Sequence, residues 1–361
     1  YNRTTEKVDE LMKKGLGIHG HHSICEMISK MEKPRTIITT LPSGEPSDFV
    51  INHMLKTLDP LDTVVDCSNE HYRISRHRAA SLSIRSIRYI GAGLSGGAKG
   101  ALNGPSMMLG CTRRAYENNK DFFEVFCKNV TYMGNDVGHG HYTKMVHNGV
   151  EYGMLQGMAD VYSYCNQDQK TMSDLMKDAY GSDIDGFLTN AAIDVLKDYE
   201  IHKISDIAEM NQTGRWCAQV GLEYNVPIPI INSALSARIT SAYTKCLDTT
   251  QKTNIFYDRL VALNTLRFVF ASSLLEGYDL MSTRNIKKSR VQKAWSSATI
   301  IECPMVEADL YEVMEETADD ARTFVVHCTM SHIPCPAVQA ALTQFDFKRQ
   351  RRTSMNFLMA Q

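Results

Sequence analysis

Apolar positions follow two different rhythms along the chain. Through about the first 110 residues, short apolar runs alternate with amphipathic stretches. Val8, Leu11 and Met12 share one side of a helix over residues 4–14, and Ile24, Met27 and Ile28 do the same over residues 23–30. A β-rich run over residues 36–40 follows Pro34. Residues 48–58 read as helix, Thr63-Val64-Val65-Asp66 as a buried strand, residues 72–83 as helix, and residues 87–90 as a strand ending in glycines. Strands and helices alternating at this spacing predict βαβ units and a mostly parallel sheet. Beyond about residue 139 the rhythm changes. Apolar residues recur three and four apart over residues 143–167, 170–196 and 257–281, with few strand-like runs, which predicts an all-helical domain. The two regimes meet near Gly138-His139-Gly140. The predicted fold class is therefore α/β plus all-α, without repeats or low-complexity tracts.

Composition narrows the function classes. Lys plus Arg number 39 against 41 Asp plus Glu, a net charge of −2, which excludes a globally basic nucleic-acid binder and an acidic tail protein. An apolar share of 43% and a charged share of 22% exclude disordered, collagen-like and coiled-coil chains. The cysteines, at 25, 67, 111, 127, 165, 217, 246, 303, 328 and 335, form neither CxxC nor zinc-finger spacings, so reduced thiols in a cytoplasmic protein are expected. No apolar run is expected to approach the ~18 residues of a membrane span. The basic cluster Lys348-Arg349 and Arg351-Arg352 reads as the solvated end of the helical domain. No metal site, nucleic acid or membrane is expected as a partner.

GxGxxG occurs twice. Gly15 to Gly20 follows a helix, whereas the dinucleotide motif needs a strand before it, so this copy reads as a loop. Gly91 to Gly96 does follow a strand, but Gly97-Ala98-Lys99-Gly100 and Asn103-Gly104-Pro105 break the long helix the motif should open. It reads as a glycine-rich strand end that lets backbone approach a ligand, with Ser95 as a hydroxyl donor.

The sharpest chemical signal is the run from Lys144 to Gly153. Lys144, His147, Asn148 and Glu151 fall at i, i+3, i+4 and i+7, one face of a helix, with Met145, Val146 and Val150 beside them for core packing. A solvated surface stripe is the competing reading. As a site, the stripe offers a base, a hydrogen-bonding pair and an acid at one place; a Lys serves as general base where burial or cationic neighbours lower its pKa. Arg215, in Thr213-Gly214-Arg215-Trp216, and Arg238 can both fork onto a phosphate or carboxylate. Asn69 lies just past a predicted strand, at the end where α/β sheets bind ligands.

Ile90 to Gly97, Gly104-Pro105-Ser106, Lys144 to Gly153, Thr213 to Trp216, Leu222-Glu223-Tyr224 with Val226-Pro227, and Ala237-Arg238 together closely resemble the decarboxylating 6-phosphogluconate dehydrogenases. The resemblance runs over most of the chain. It implies NADP as cofactor and no metal. The implied reaction oxidises the 3-hydroxyl of 6-phosphogluconate, releases CO2 and yields ribulose 5-phosphate and NADPH, within the pentose phosphate pathway. It implies Lys144 as general base and Glu151 as the acid that protonates the enediol. Asn69, Ser95, Gly96, Gly97, His147 and Asn148 would hold the sugar acid, and Tyr152, Arg215 and Arg238 its phosphate. Asn2, Arg3 and Thr4 resemble the segment after the family's second strand that holds the 2′-phosphate, a dianion that an Arg fork matches. Leu41, Pro42 and Ser43, with Asn69, would complete the cofactor contacts.

The resemblance also implies an incomplete Rossmann-like NADP-binding domain over residues 1–138, with the first strand and glycine loop upstream of Tyr1. A large all-helical domain over 139–350 would follow, with the start of a C-terminal tail over 351–361. In the family that tail sends an Arg and a His into the neighbouring subunit, and a homodimer is expected. The sequence departs from the family at Arg215, which stands where Lys is usual, and at Trp295-Ser296-Ser297-Ala298, in place of Trp-Arg-Gly-Gly. Two alternatives stay open: a catalytically impaired binding module that keeps the fold, and another β-hydroxyacid dehydrogenase with a smaller substrate.

Overall fold

Pro34 and the β-branched run behind it favour extended backbone, and the first strand opens there. The computed structural model describes residues 1–243 and 257–361. Its chain divides into two compact units, Tyr1–Leu94 with Met107–Lys144, and Ser95–Ser106 with Met145–Gln361. The elements begin with α1 (Thr5–Lys13), α2 (Ile24–Lys30), β1 (Thr36–Thr39), α3 (Glu45–Met54), β2 (Thr63–Asp66), α4 (Tyr72–Ser83) and β3 (Arg88–Ser95). They continue with α5 (Gly97–Asn103), β4 (Ser106–Gly110), α6 (Arg113–Glu124) and β5 (Asn129–Gly134). The five strands form one sheet in chain order. The β1–β2 and β2–β3 pairs are parallel, with Ile38 beside Val65 and Val65 beside Ile90. Successive side chains leave a strand on opposite faces, and each face of this sheet is covered. Ile37, Val64 and Tyr89 pack with Ile24, Ile28, Ile51, Met54 and Leu82. Val65, Ile90 and Leu109 pack with Tyr116, Phe123 and Val130.

Four expectations in this unit need correction. The helix expected over 48–58 is α3, which begins earlier because Pro46 suits its first turn and Gly44, at φ +81, supplies the entry bend. The strand expected over 87–90 runs on through the glycines to Ser95. Gly91 and Gly93 do not open backbone to a ligand. A Cβ on Gly91 would lie 2.2 Å from the Val137 carbonyl oxygen, and one on Gly93 2.5 Å from that of Gly140, so both glycines let the chain entering the next helix lie against β3. Finally, β4, α6 and β5 are not among the predicted elements. The Gly15–Gly20 segment is a loop, as expected, with Gly15 and Gly17 at positive φ.

Helix α7 (His139–Tyr164) carries the chain from one unit into the other, the division falling between Lys144 and Met145. The remaining elements are α8 (Gln169–Asp178), α9 (Phe187–Asp198), α10 (Gln212–Glu223), α11 (Pro229–Ser241), α12 (Arg259–Ser282), α13 (Lys288–Trp295), α14 (Leu310–Met330), α15 (Pro336–Arg349) and α16 (Met355–Met359). The stretch of helical periodicity over 170–196 forms two helices, α8 and α9. Gly181 at φ +75 breaks it, and a Cβ on Gly186 would lie 1.9 Å from the Glu302 carbonyl oxygen. In the second unit α12 packs on α14 and α15, and α11 on α15. Contrary to expectation, α12 is long and apolar enough to cross a membrane by length and composition, but 72% of its most apolar window is buried within the fold. It serves as a core helix. The nine described cysteines are free thiols; Cys246 lies outside the described residues.

Candidate active site

In the first unit, the predicted residues lie in three places: the segment before α1, the loops after β1 and β2, and helix α7. Asn2 Oδ1 accepts a hydrogen bond from the Thr4 amide at 2.9 Å, which sets the entry to α1. Arg3 is exposed and has no ion pair or hydrogen bond among the described residues. Leu41, Pro42 and Ser43 form the loop after β1. The buried Ser47 hydroxyl donates to the Pro42 carbonyl at 2.8 Å, and the Gly44 amide donates to Glu70 Oε2 at 2.8 Å. Asn69 is exposed in the loop after β2, between the buried Ser68 and Glu70. Lys144 is buried on α7 at 6% exposure, and a Cβ on Gly93 would lie 2.6 Å from its Cβ. These loops occupy the carboxyl edge of the parallel strands, the usual ligand edge of such sheets.

In the second unit, a hydrogen-bonded chain starts at the end of β3. Ser95 Oγ lies 3.1 Å from His147 Nε2. His147 Nδ1 lies 3.2 Å from Asn148 Oδ1, and Asn148 Nδ2 donates to Thr213 Oγ1 at 2.9 Å. Because the Asn148 amide donates to Thr213, its oxygen must accept from His147 Nδ1. His147 Nε2 faces the Ser95 hydroxyl, which can donate to it or accept from it. Thr213 Oγ1 donates onward to Asn211 Oδ1. The Asn211 amide donates to the Tyr152 hydroxyl at 3.2 Å, and the Arg238 guanidinium stacks on the Tyr152 ring at 4.1 Å. Arg238 Nη1 donates to the Glu209 carbonyl at 2.8 Å. Glu151 Oε2 lies 3.9 Å from His147 Nδ1.

The stripe predicted on one helix face is real, and it is not solvated. His147 is fully buried and Asn148 nearly so, while Met145, Val146 and Val150 fill the core beside them. Gly96, at φ +124, and Gly97, at φ +56, turn the chain after Ser95. A Cβ on Gly96 would lie 2.9 Å from Gly100 Cα and 3.1 Å from the Ala298 carbonyl oxygen, so only glycine fits there. Arg215 stands exposed on α10 without a partner among the described residues. Neither it nor Arg238 is neutralised by a described carboxylate, which leaves two guanidinium forks for an anion. Ser95, His147, Asn148, Tyr152 and Arg238 are thus joined through contacts. Asn211, Thr213 and Trp295 were not assigned from sequence. The Trp295 ring lies edge-on to His147 with centroids 6.2 Å apart and stacks on Tyr278 at 5.7 Å. Thr213 opens the Thr213–Trp216 motif, but nothing local in the sequence marks Asn211.

The family model described as the NAD binding domain of 6-phosphogluconate dehydrogenase matches residues 1–134, and that of the 6-phosphogluconate dehydrogenase C-terminal domain matches residues 140–259. The decarboxylating 6-phosphogluconate dehydrogenase of Schizosaccharomyces pombe is 30% identical, over 100% of this chain and 84% of its own. This chain belongs to the decarboxylating 6-phosphogluconate dehydrogenase family. The human decarboxylating 6-phosphogluconate dehydrogenase is 28% identical over 100% of this chain and 86% of its own. A solved 6-phosphogluconate dehydrogenase from Plasmodium falciparum, studied in its apo form and in complex with its cofactor NADP+ and its substrate 6-phosphogluconate, matches with a TM-score of 0.91. It is 26% identical and covers 99% of this chain and 89% of its own. Family membership makes this chain a dehydrogenase of the decarboxylating type. Its fold is that of the family, a Rossmann-like unit and a large helical one.

Proposed function

We propose that this protein converts 6-phosphogluconate to ribulose 5-phosphate and CO2 while reducing NADP+ to NADPH, a step of the pentose phosphate pathway. The observation that carries the reading is the helix α7 stripe. Lys144, His147, Asn148 and Glu151 follow one another on one face, and the Ser95–His147–Asn148–Thr213 chain fixes its middle. In this reading Lys144 takes the proton of the substrate 3-hydroxyl as C3 is oxidised. When the bond to the carboxyl carbon breaks, Glu151 delivers a proton to the carbon left behind. Asn69, Ser95, Gly96, Gly97, His147 and Asn148 hold the sugar acid. Tyr152, Arg215 and Arg238 hold the phosphate, which favours a phosphorylated substrate over the smaller acids of related dehydrogenases.

The exposed, unpartnered Arg3 fits a 2′-phosphate, so the chain's own charges suit NADP rather than NAD. Asn2, Thr4, the 41–43 loop and Asn69 would complete the hold. NADP+ supplies, when bound, the acceptor for the hydride that leaves C3. By family membership the reading extends to a homodimer in the cytoplasm.

Following NADPH absorbance with 6-phosphogluconate and NADP+ tests the reading. Lys144→Met should lower turnover at least ~100-fold, the scale of a general base, while 6-phosphogluconate binding by calorimetry persists. A folded wild-type protein that forms no NADPH, or a Lys144→Met variant with undiminished turnover, would overturn it.

A further inference from the structure

Glu70 joins the two loops that the proposed function assigns to the cofactor. Its Oε2 accepts the Gly44 amide at 2.8 Å from the loop after β1, and its Oε1 accepts the His71 amide at 2.9 Å within the loop after β2. Arg78 holds this carboxylate from beneath, with Nη2 2.8 Å from Glu70 Oε2. The same guanidinium donates through Nη1 to Asp66 Oδ2 at 2.8 Å and through Nε to Asp48 Oδ1 at 2.7 Å, and its Nη2 lies 3.4 Å from the Gly44 carbonyl. Arg78 and Glu70 are only 5% and 3% exposed, so the charges are shielded from water, where such contacts are strong and their loss is costly. Asp66 closes the network. Its Oδ1 accepts the Ser68 amide and hydroxyl at 3.0 and 2.6 Å, and its Oδ2 accepts the Tyr89 hydroxyl at 2.7 Å. Asn69 therefore projects outward between two neighbours, Ser68 and Glu70, that are both anchored inward. The loop carrying Leu41, Pro42 and Ser43 is held at its other end by the same carboxylate.

The geometry points to Glu70, seated on Arg78, as the positioning residue that sets the 41–44 loop against the 67–71 loop for NADP. The inference rests on the proposed function, because it takes both loops to contact the cofactor. Glu70 itself touches neither the cofactor nor the reacting atoms. It preorganises the loops, and a preorganised site avoids the ordering cost of binding. Glu70→Ala removes the bridge, whereas Glu70→Gln keeps a neutral acceptor for Gly44 and Arg78.

The test is NADPH fluorescence titration with steady-state kinetics and thermal melting on the full chain. Glu70→Ala should bind NADPH about tenfold more weakly, with KM for NADP+ rising far more than kcat falls. Glu70→Gln should restore most of that affinity. Should Glu70→Ala not fold, Arg78→Lys serves instead. It keeps a cation beside Asp48 and Asp66 but loses the fork, and it should show the same loss. Affinity in either variant equal to wild type, or equal losses in Glu70→Ala and Glu70→Gln, would overturn the inference while leaving the proposed function standing. A wild-type protein that binds no NADPH would overturn both.

Discussion

Replacing Glu276 by Gln tests how one buried carboxyl limits the pH range in which the helical unit stays folded. Glu276 lies on α12 at 1% exposure and accepts the amides of Ile230 at 2.9 Å and Ile231 at 3.0 Å, in the first turn of α11. The far end of that helix carries Arg238. Burial pushes the carboxyl up from its ordinary 4.5 to about 8, and the two amides with Lys348 pull it back too little to offset this. Over that interval the folded protein keeps a proton that the unfolded chain releases. The contribution to stability is therefore complete below 4.5 and is lost as the pH rises through about 8. Linkage over this interval gives a loss of roughly 2 kcal/mol between about pH 6 and about pH 8. For a unit of this size, that corresponds to roughly 4–8 °C in melting temperature.

Gln is neutral at every pH but offers one carbonyl oxygen to two amides, a fixed cost of about 1 kcal/mol. Melting curves of wild type and Glu276→Gln should therefore cross near about pH 5, and between about pH 6 and about pH 8 the variant should be the more stable by a widening margin. Asp160 makes the comparison harder to misread. Burial pushes it up to about 7, so its own loss falls earlier and persists in the variant. Parallel curves, with the variant equally destabilised at every pH, would refute the reasoning and leave Glu276 a hydrogen-bond acceptor only.

Other expectations concern the site. Gly214→Ala places a Cβ 2.5 Å from Tyr152 Cε2 and 2.9 Å from Leu235 Cδ2, so Tyr152 must move off Arg238. KM for 6-phosphogluconate should rise about tenfold, and thermal denaturation should show a loss of about 1–3 kcal/mol. Ser95→Ala removes the hydroxyl that faces the buried His147 Nε2, which should cost about 1–3 kcal/mol in chemical denaturation and raise the same KM. Trp295 is fully buried, and its Nε1 has no hydrogen-bond partner among the described residues. Trp295→Phe should therefore lose under about 2 kcal/mol, against roughly 3–5 kcal/mol for Trp295→Ala, both read from denaturant melts.

What the sequence reveals about this fold depends on how far apart the cooperating residues lie. Strands β1 and β2 are legible because their β-branched side chains favour a pleated, buried surface. Strand β4 is not, since Met107-Met108-Leu109 is apolar on both faces and has neither period. The stripe on α7 is legible because helical spacing alone groups its four members. Its supports are not: Asn148 finds Thr213 across 65 residues, and Glu70 finds Gly44 across 26. Glu276 and Asp160 show what signal remains. Each is a single acid set among apolar helix positions, which periodicity alone reads as a solvated face. In the fold each instead faces backbone amides at the start of another helix, α11 for Glu276 and α15 for Asp160. A helix N-terminus offers unpaired amides and partial positive charge, which makes it one of the few apolar-lined places that tolerate a carboxyl. An isolated acid within an apolar stripe, together with a helix elsewhere in the chain that opens on Pro, as α11 and α15 both do, thus predicts a buried cap rather than an exposed surface.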